Sequence, residues 1–450
     1  MPLIGALGAA SAKGLGFGGT SVDPFFLASG NGAETAEFDS LTMDSYDSTT
    51  FVRNFDYGNY ACRLTKRSKS SVATWGYTIS QGGAESGNQV VTPKIGLSSN
   101  GQHLWWSAKH AQNTSVKLLM KINPTTGASI LSRGINTNQN DTINSIYVDT
   151  SGDAYIVTNS SGTYSFIVKI SGSDGSIVWQ KRADFGAGSR QLIAYGITVS
   201  GSNVYVSYHI QNNQYNFVAI LSTSNGSTVG RYRYSMGTHT GDANARAITD
   251  SSGNIYFLNV GYYSSNFAAA YVTKYVTSNN TVAWQKYFFN SPNETTPSAR
   301  VGGLALNAAN DKLYLVCGTW QDSNPKAQWA ELLTSDGSVQ RGLSLAVQGQ
   351  SETYYTGVGV TATHLYAHGF RSYYPSVVGV YVAVPINGTR QYTTAPYTYN
   401  TAYAMQSSSN TPTATSDTGL TIDSTSSVSS SSVDWSYTNS GGNNYSITPI

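Results

Sequence analysis

Alternation of apolar and polar positions runs through most of this chain in short bursts, and the bursts come in fours. Between Ser145 and Arg182 the sequence reads SIYVDTSGDAYIVTNSSGTYSFIVKISGSDGSIVWQKR, with apolar runs at Ile146–Val148, Ala154–Thr158, Ser165–Ile170 and Ile177–Lys181. A period of two over such lengths predicts strands with one face buried. Asp-Thr-Ser-Gly-Asp separates the first two runs and Ser-Gly-Ser-Asp-Gly the last two. Gly supplies positive φ in tight turns, and Asp and Ser close them by bonding to nearby backbone. The segment is therefore expected to be a four-stranded antiparallel meander.

The meander recurs. One position of the second strand is held in turn by Phe51, Leu104, Tyr155, Tyr205, Tyr256, Tyr314 and Tyr366, at intervals of 50 to 58 residues. The hairpin into the fourth strand recurs as SKSSVATW, TTGASIL, SDGSIVW, SNGSTVG, SNNTVAW and SDGSVQR, and in shorter form as INGTRQY ending at Tyr392. Such a period is too long for a leucine-rich or β-helical coil and suits one propeller blade with its connection. A meander cannot bury both faces alone, so neighbours must stack. The expected fold is all-β: a seven-bladed β-propeller over residues 39–394. An N-terminal arm (1–38) precedes it, and a Ser/Thr-rich tail (395–450) supplies a possible closing or partner strand.

Composition agrees with that class. Charged residues make up 11% of the 450, against about 25% in ordinary globular domains, while Gly numbers 45 and Tyr 32. This mixture disfavours helices and suits strands and turns. A net charge of +2 gives no electrostatic case for nucleic acid or an anionic membrane surface. The basic run Arg63–Lys69 reads as a solvated strand and turn. Cys62 and Cys317 fall in strands of different repeats and read as small buried hydrophobes. No apolar run reaches the ~20 residues needed to span a bilayer. The start, MPLIGALGAASAKGLGFGG, has a signal-like Ala10-Ser11-Ala12 but no positive residue before a short, Gly-broken apolar stretch, and is expected to be retained. Ala6, Ala10, Leu15 and Phe17 are its candidate anchoring side chains for a neighbouring subunit.

In an up-and-down meander the first-to-second and third-to-fourth turns leave one end of the sheets. The second-to-third loops and the sheet-to-sheet connections leave the other. The first set is short; the second is expected to be long and to carry Tyr208, His209, Tyr262, Tyr263, Trp320, Phe370, Tyr373 and Tyr374. Aromatics interleaved with Asn, Gln and Ser on scaffolded loops suit sugar faces and hydroxyls, or a protein partner. No catalytic constellation emerges, and the chain is not expected to be an enzyme. Of six histidines only His364 and His368 have a ligand-like spacing, without a carboxylate or Cys beside them. The recurring Asp149, Asp250, Asp174 and Asp336 are explained by turns. SDGSIVW differs in spacing from the sialidase Asp-box, and no phosphate loop or nucleophile elbow is present. Neither a metal nor a cofactor is expected.

The units VDTSGDAYIVTNSSG…FIVKISGSDGSIVWQKR and TDSSGNIYFLNVGYYSSNFAAAYVTKYVTSNNTVAWQKYF resemble the seven-bladed β-propeller repeat family whose members read V-D-S-S-G-N-V-Y-V, then K-Y-N-S-S-G, then W. That resemblance covers roughly residues 39–394. ASAKGLGFGGTSVDPFF (10–26) is similar to N-terminal segments of virion structural proteins of marine tailed phages, especially those of cyanobacteria. Together they imply a virion component of the tail or its fibres, present in multiple copies in a symmetric assembly. It would be joined to other virion proteins through the arm and would face a host surface glycan or receptor. Two further readings stay open: a depolymerase of the host's surface polysaccharide, and a capsid- or neck-decorating scaffold without host contact.

Overall fold

The computed structural model describes residues 25–29, 35–44, 48–56, 61–68, 73–80, 94–109, 116–137, 141–160, 164–184, 192–210, 215–235, 240–264, 267–289, 299–319, 328–344, 352–373 and 376–386, with short strands beyond them. The described residues are strands and turns, with no helix. Sheets 1 to 7 follow one another along the chain; the first six are four-stranded antiparallel meanders, the seventh is a three-stranded meander joined by a strand from elsewhere, and among the described residues all but sheet 6 carry a fifth strand. Sheet 3 shows the plan. Asp141–Val148 is innermost, followed outwards by Ala154–Ser160, Tyr164–Ile170 and Ile177–Asp184. Sheet 4 repeats it with Leu192–Ser200, Asn203–Ile210, Tyr215–Ser222 and Thr228–Ser235, and sheet 5 with Thr240–Thr249, Ile255–Ser264, Phe267–Val276 and Thr281–Phe289. The innermost strand of each sheet touches that of the next, and that of sheet 7 touches that of sheet 1.

Sheet 7 departs from the sequence expectation. Its fourth strand is not the INGTRQY hairpin. Phe25–Ser29, from the segment read as an arm, pairs antiparallel with Gly379–Ala383 instead. Tyr392–Thr394 folds against Tyr397–Tyr399 as a separate pair. The physical reason is long-range: the open edge of Ser376–Pro385 is completed by an apolar strand 350 residues away in sequence (379 minus 29), which hairpin chemistry cannot reveal. Thr35–Asp44, also begun inside that arm, is the innermost strand of sheet 1.

The tail supplies the fifth strands, in reverse order. Gln406–Asn410 adds to sheet 5, Thr415–Ser416 to sheet 4, Thr421–Asp423 to sheet 3, Ser429–Ser432 to sheet 2 and Ser436–Asn439 to sheet 1. Ser446–Pro449 then pairs with Phe25–Ala28 on sheet 7. Of the segment Val433–Thr438, read as a closing strand, Ser436–Thr438 therefore lies across the outer edge of sheet 1, and 433–435 fall outside the described residues. The chain's two end strands meet on sheet 7.

Packing between sheets explains the repeated Gly and Trp. Trp75, Trp179 and Trp284 donate their indole N–H to the carbonyls of Pro124, Thr223 and Thr334 in the following sheet, at 3.2, 3.0 and 3.1 Å. Lys66, Lys169 and Lys274 donate to the same three carbonyls at 3.0, 3.4 and 2.9 Å. A glycine three residues on lies flat against the ring: Gly127, Gly226 and Gly337 have φ of 76°, 69° and 71°, and a Cβ there would come within 2.7 to 2.8 Å of the indole. Only Gly meets both demands. Apolar seams fill the rest, such as Tyr155, Val157 and Trp179 of sheet 3 against Val204, Val206 and Tyr208 of sheet 4.

Candidate functional site

The first-to-second turns end in small Asx-centred knots. Asp149 accepts from the backbone N–H groups of Ser151 and Asp153, both at 3.0 Å, and from the Tyr155 hydroxyl at 3.3 Å. Asp250 repeats this with Asn254 and Tyr256. These carboxylates hold turns, and the buried phenols of Tyr155 and Tyr256 have pKa values raised first by burial.

At the opposite end, the structure corrects the expectation that Tyr208 and His209 sit on an exposed loop. Both lie in the strand Asn203–Ile210 and both are 0% exposed. The apolar alternation Val204, Val206, Tyr208, Ile210 simply continues through them. Tyr208 points into the seam with sheet 3, beside Ser165, and burial raises its hydroxyl pKa. His209 occupies the other face, in register with Ile193 and Asn216. Tyr262 and Tyr263 belong to the strand Ile255–Ser264, with Tyr262 opposite Ala268. Phe370 and Tyr373 belong to His364–Tyr373, opposite Gly379 and Ser376. Only residues 265–266 and 374–375 connect these strands to their partners, so two of the connections expected to be long are tight. Trp320 and Tyr374, and the arm residues Ala6, Ala10, Leu15 and Phe17, lie outside the described residues. The described candidates therefore lie in strands of sheets 4, 5 and 7.

An ion pair that sequence reasoning missed lies under this end, between sheets 2 and 3. Lys117 and Asp141, both with fully buried side chains, are joined directly. The Lys117 ammonium also donates to Thr137 Oγ1, which donates to Asp141 Oδ1, each at 2.6 Å. The signal was present: a lysine inside the apolar run VKLLMKI and an aspartate opening DTINSIYV. Such a pair is unfavourable to half-remove, because the survivor is left as a buried charge. Its chemistry is that of a lock between sheets.

A central cavity of about 170 Å³ lies between the innermost strands, walled by Gly96, Ser145, Ile197, Arg246, Gly303 and Gly357 among others. Drug-sized ligands need roughly 300–1,000 Å³, so this space suits a few waters (about 30 Å³ each). Among the described residues Arg246 is its single charged lining residue. Among the described residues no three His, Cys, Asp or Glu side chains gather as metal ligands. His364 and His368 are buried on one strand, and the His364 ring is within 2.9 Å of Thr363 Oγ1.

No family model matches this chain, and no curated protein matches it. Solved structures similar to it include a protein of unknown function from Bacteroides caccae, 10% identical, covering 70% of this chain and 92% of that one, with a TM-score of 0.39. The Dos1 propeller is 8% identical over 61% of this chain and 65% of its own, with a TM-score of 0.38. The phage phi92 endosialidase is 11% identical over 83% and 70%, with a TM-score of 0.41. Likeness at that level carries no argument about activity.

Proposed function

We propose that this chain is a virion structural protein, a component of the tail or its fibres, folded as a seven-bladed β-propeller and serving assembly, host-surface attachment or both. The observation that carries the reading is the belt formed by the tail, whose strands bind the outer edges of sheets 5, 4, 3, 2, 1 and then 7. Unpaired edges invite association, and a chain that covers them with its own end is built to keep its shape among many copies. The particle setting rests on the resemblance read in residues 10–26, with the arm proposed as anchor and the second-to-third connections turned to a neighbour or the host. Deleting residues 2–20, which precede the first described strand, should leave a folded propeller that no longer enters particles. Normal incorporation of the shortened chain would reject the anchor. Absence of the protein from purified particles would reject the reading altogether, and release of saccharide from host glycan would favour a depolymerase.

A further inference from the structure

The seam between sheets 4 and 5 changes character along its length. Near the first-to-second turns it is apolar and aromatic, with Tyr205, Ile220, Ile255 and Tyr275 in contact. Towards the second-to-third connections it is polar, and still closed to solvent. Ser207, Asn216, Tyr234, Asn259, Thr273 and Gln285 are each 0 or 1% exposed. Some of these groups satisfy one another: Gln285 Nε2 donates to Thr273 Oγ1 at 2.9 Å, and Asn216 Nδ2 to the Tyr234 hydroxyl at 3.4 Å. Burial raises the Tyr234 pKa to about 12, partly offset by Thr273, Asn216 and Asn259 nearby.

Two side chains are not satisfied. Neither the amide nitrogen nor the carbonyl oxygen of Asn259 has a hydrogen-bond partner in the protein, and nor has the Ser207 hydroxyl. A buried amide left without bonds costs about 1–3 kcal/mol, so such groups are normally met by water or a ligand. The backbone beside Asn259 is irregular. In the innermost strand of sheet 5, Asp242 pairs with Val260 and Arg246 with Leu258, leaving residues 243–245 without register partners opposite Asn259. The innermost strands of sheets 1, 3, 4, 6 and 7 skip a single residue at their break.

We propose that this polar end of the seam is a binding site for a small, uncharged, hydroxyl-bearing molecule. The chemistry sets the class. Asn259 offers both donors and acceptors, and Ser207 offers both in one hydroxyl. A carboxylate would answer only the donors and an ammonium only the acceptors, whereas a hydroxyl answers both. The positions that face across the seam from the second, third and fourth strands of both sheets carry no Asp, Glu, Lys or Arg, and His209 is the one titratable imidazole among them, so a charged guest would meet no fixed counter-charge on those strands. Water and a sugar hydroxyl share this chemistry. The site stands whether or not the particle role proposed above holds.

The test uses the full chain, with thermal unfolding and calorimetric titration against glucose, galactose and N-acetylglucosamine, and against glucuronic acid and glucosamine as charged counterparts. A saccharide guest raises the melting midpoint with dose for the neutral sugars alone, and Asn259→Leu weakens that affinity about tenfold, the equivalent of one bond. Ser207→Ala, which removes one hydroxyl, serves if the leucine variant does not fold. A water guest gives no sugar response but shows ordered solvent bonded to Asn259 in a high-resolution crystal structure. A dry seam in that structure with no saccharide response overturns the site. Equal stabilisation by the charged sugars overturns its ligand class.

Discussion

A single backbone angle explains why the S-D-G-S hairpin recurs. At Gly226 the chain takes φ of 69°, and an added Cβ would lie 2.7 Å from the Trp179 ring. Gly201 has nearly the same conformation, φ of 57°, with nothing within 4 Å. The pair separates two costs. Gly201→Ala should lower stability by about 1–2 kcal/mol for the left-handed conformation alone, while Gly226→Ala adds the clash and should lose more. Ranked melting temperatures check this, and equal losses would show that the ring moves aside freely. Asp174, in the same kind of turn, has its pKa lowered to about 2, first by the backbone N–H of Ser176 and then by the Ser171 and Ser176 hydroxyls. A carboxyl depressed on folding stabilises above its unfolded pKa near 3.8, and that contribution is lost as pH falls through about 2. Asp174→Asn should therefore flatten the stability profile in that acid window and leave it unchanged in shape at neutral pH.

At the scale of the strand, a bulge decides what each outer strand does. In sheet 3, Lys169 pairs with Trp179 and Ile170 with Ile177, so Val178 is the extra residue and points outwards, 47% exposed. Ile130 and Val229 are skipped in the same way in sheets 2 and 4. Neighbours in sequence thus have opposite environments. Val178→Lys should change stability by no more than about 0.5 kcal/mol, whereas Trp179→Ala should cost roughly 3–5 kcal/mol and lose the bond to Thr223. Urea unfolding of the two variants distinguishes them; comparable losses would mean the bulge residue is packed. These strands also show what could be read from sequence. The turns were legible because Gly, Asp and Ser act locally, and the second strands because Tyr155, Tyr205 and Tyr256 recur in register. The bulges were not, since SIVW alternates as well with an extra residue as without one. Tyr208 and His209 looked like loop residues because a tyrosine beside a histidine suggests a surface, while burial is decided by the neighbouring sheet.

Over the whole molecule, closure is made twice. Phe25–Ser29 completes sheet 7, and Ser446–Pro449 then covers Phe25–Ala28 after the tail has passed sheets 5 to 1. The tail carries little apolar alternation, so its sequence showed a closing or partner strand and not a belt of six; its strands are held by backbone pairing, which any Ser or Thr can make. On sheets 2 to 4 each pairing begins beyond the bulge, at Arg133–Asn136, Arg182–Asp184 and Tyr232–Arg233. The bulge already protects the first half of these outer strands from further addition, and the tail protects the rest. Two truncations follow from this division. Removing residues 440–450 takes away the second closure alone, and should lower the melting temperature without changing the state of association. Removing residues 401–450 bares the outer halves of five sheets as well, and should add self-association, visible by light scattering. Because Phe25–Ser29 remains paired in both, each chain should still fold with the native near-ultraviolet circular dichroism. If the longer truncation shows no added self-association and an unchanged melting temperature, the belt contributes neither stability nor edge protection, and the shape of this molecule rests on its seams alone.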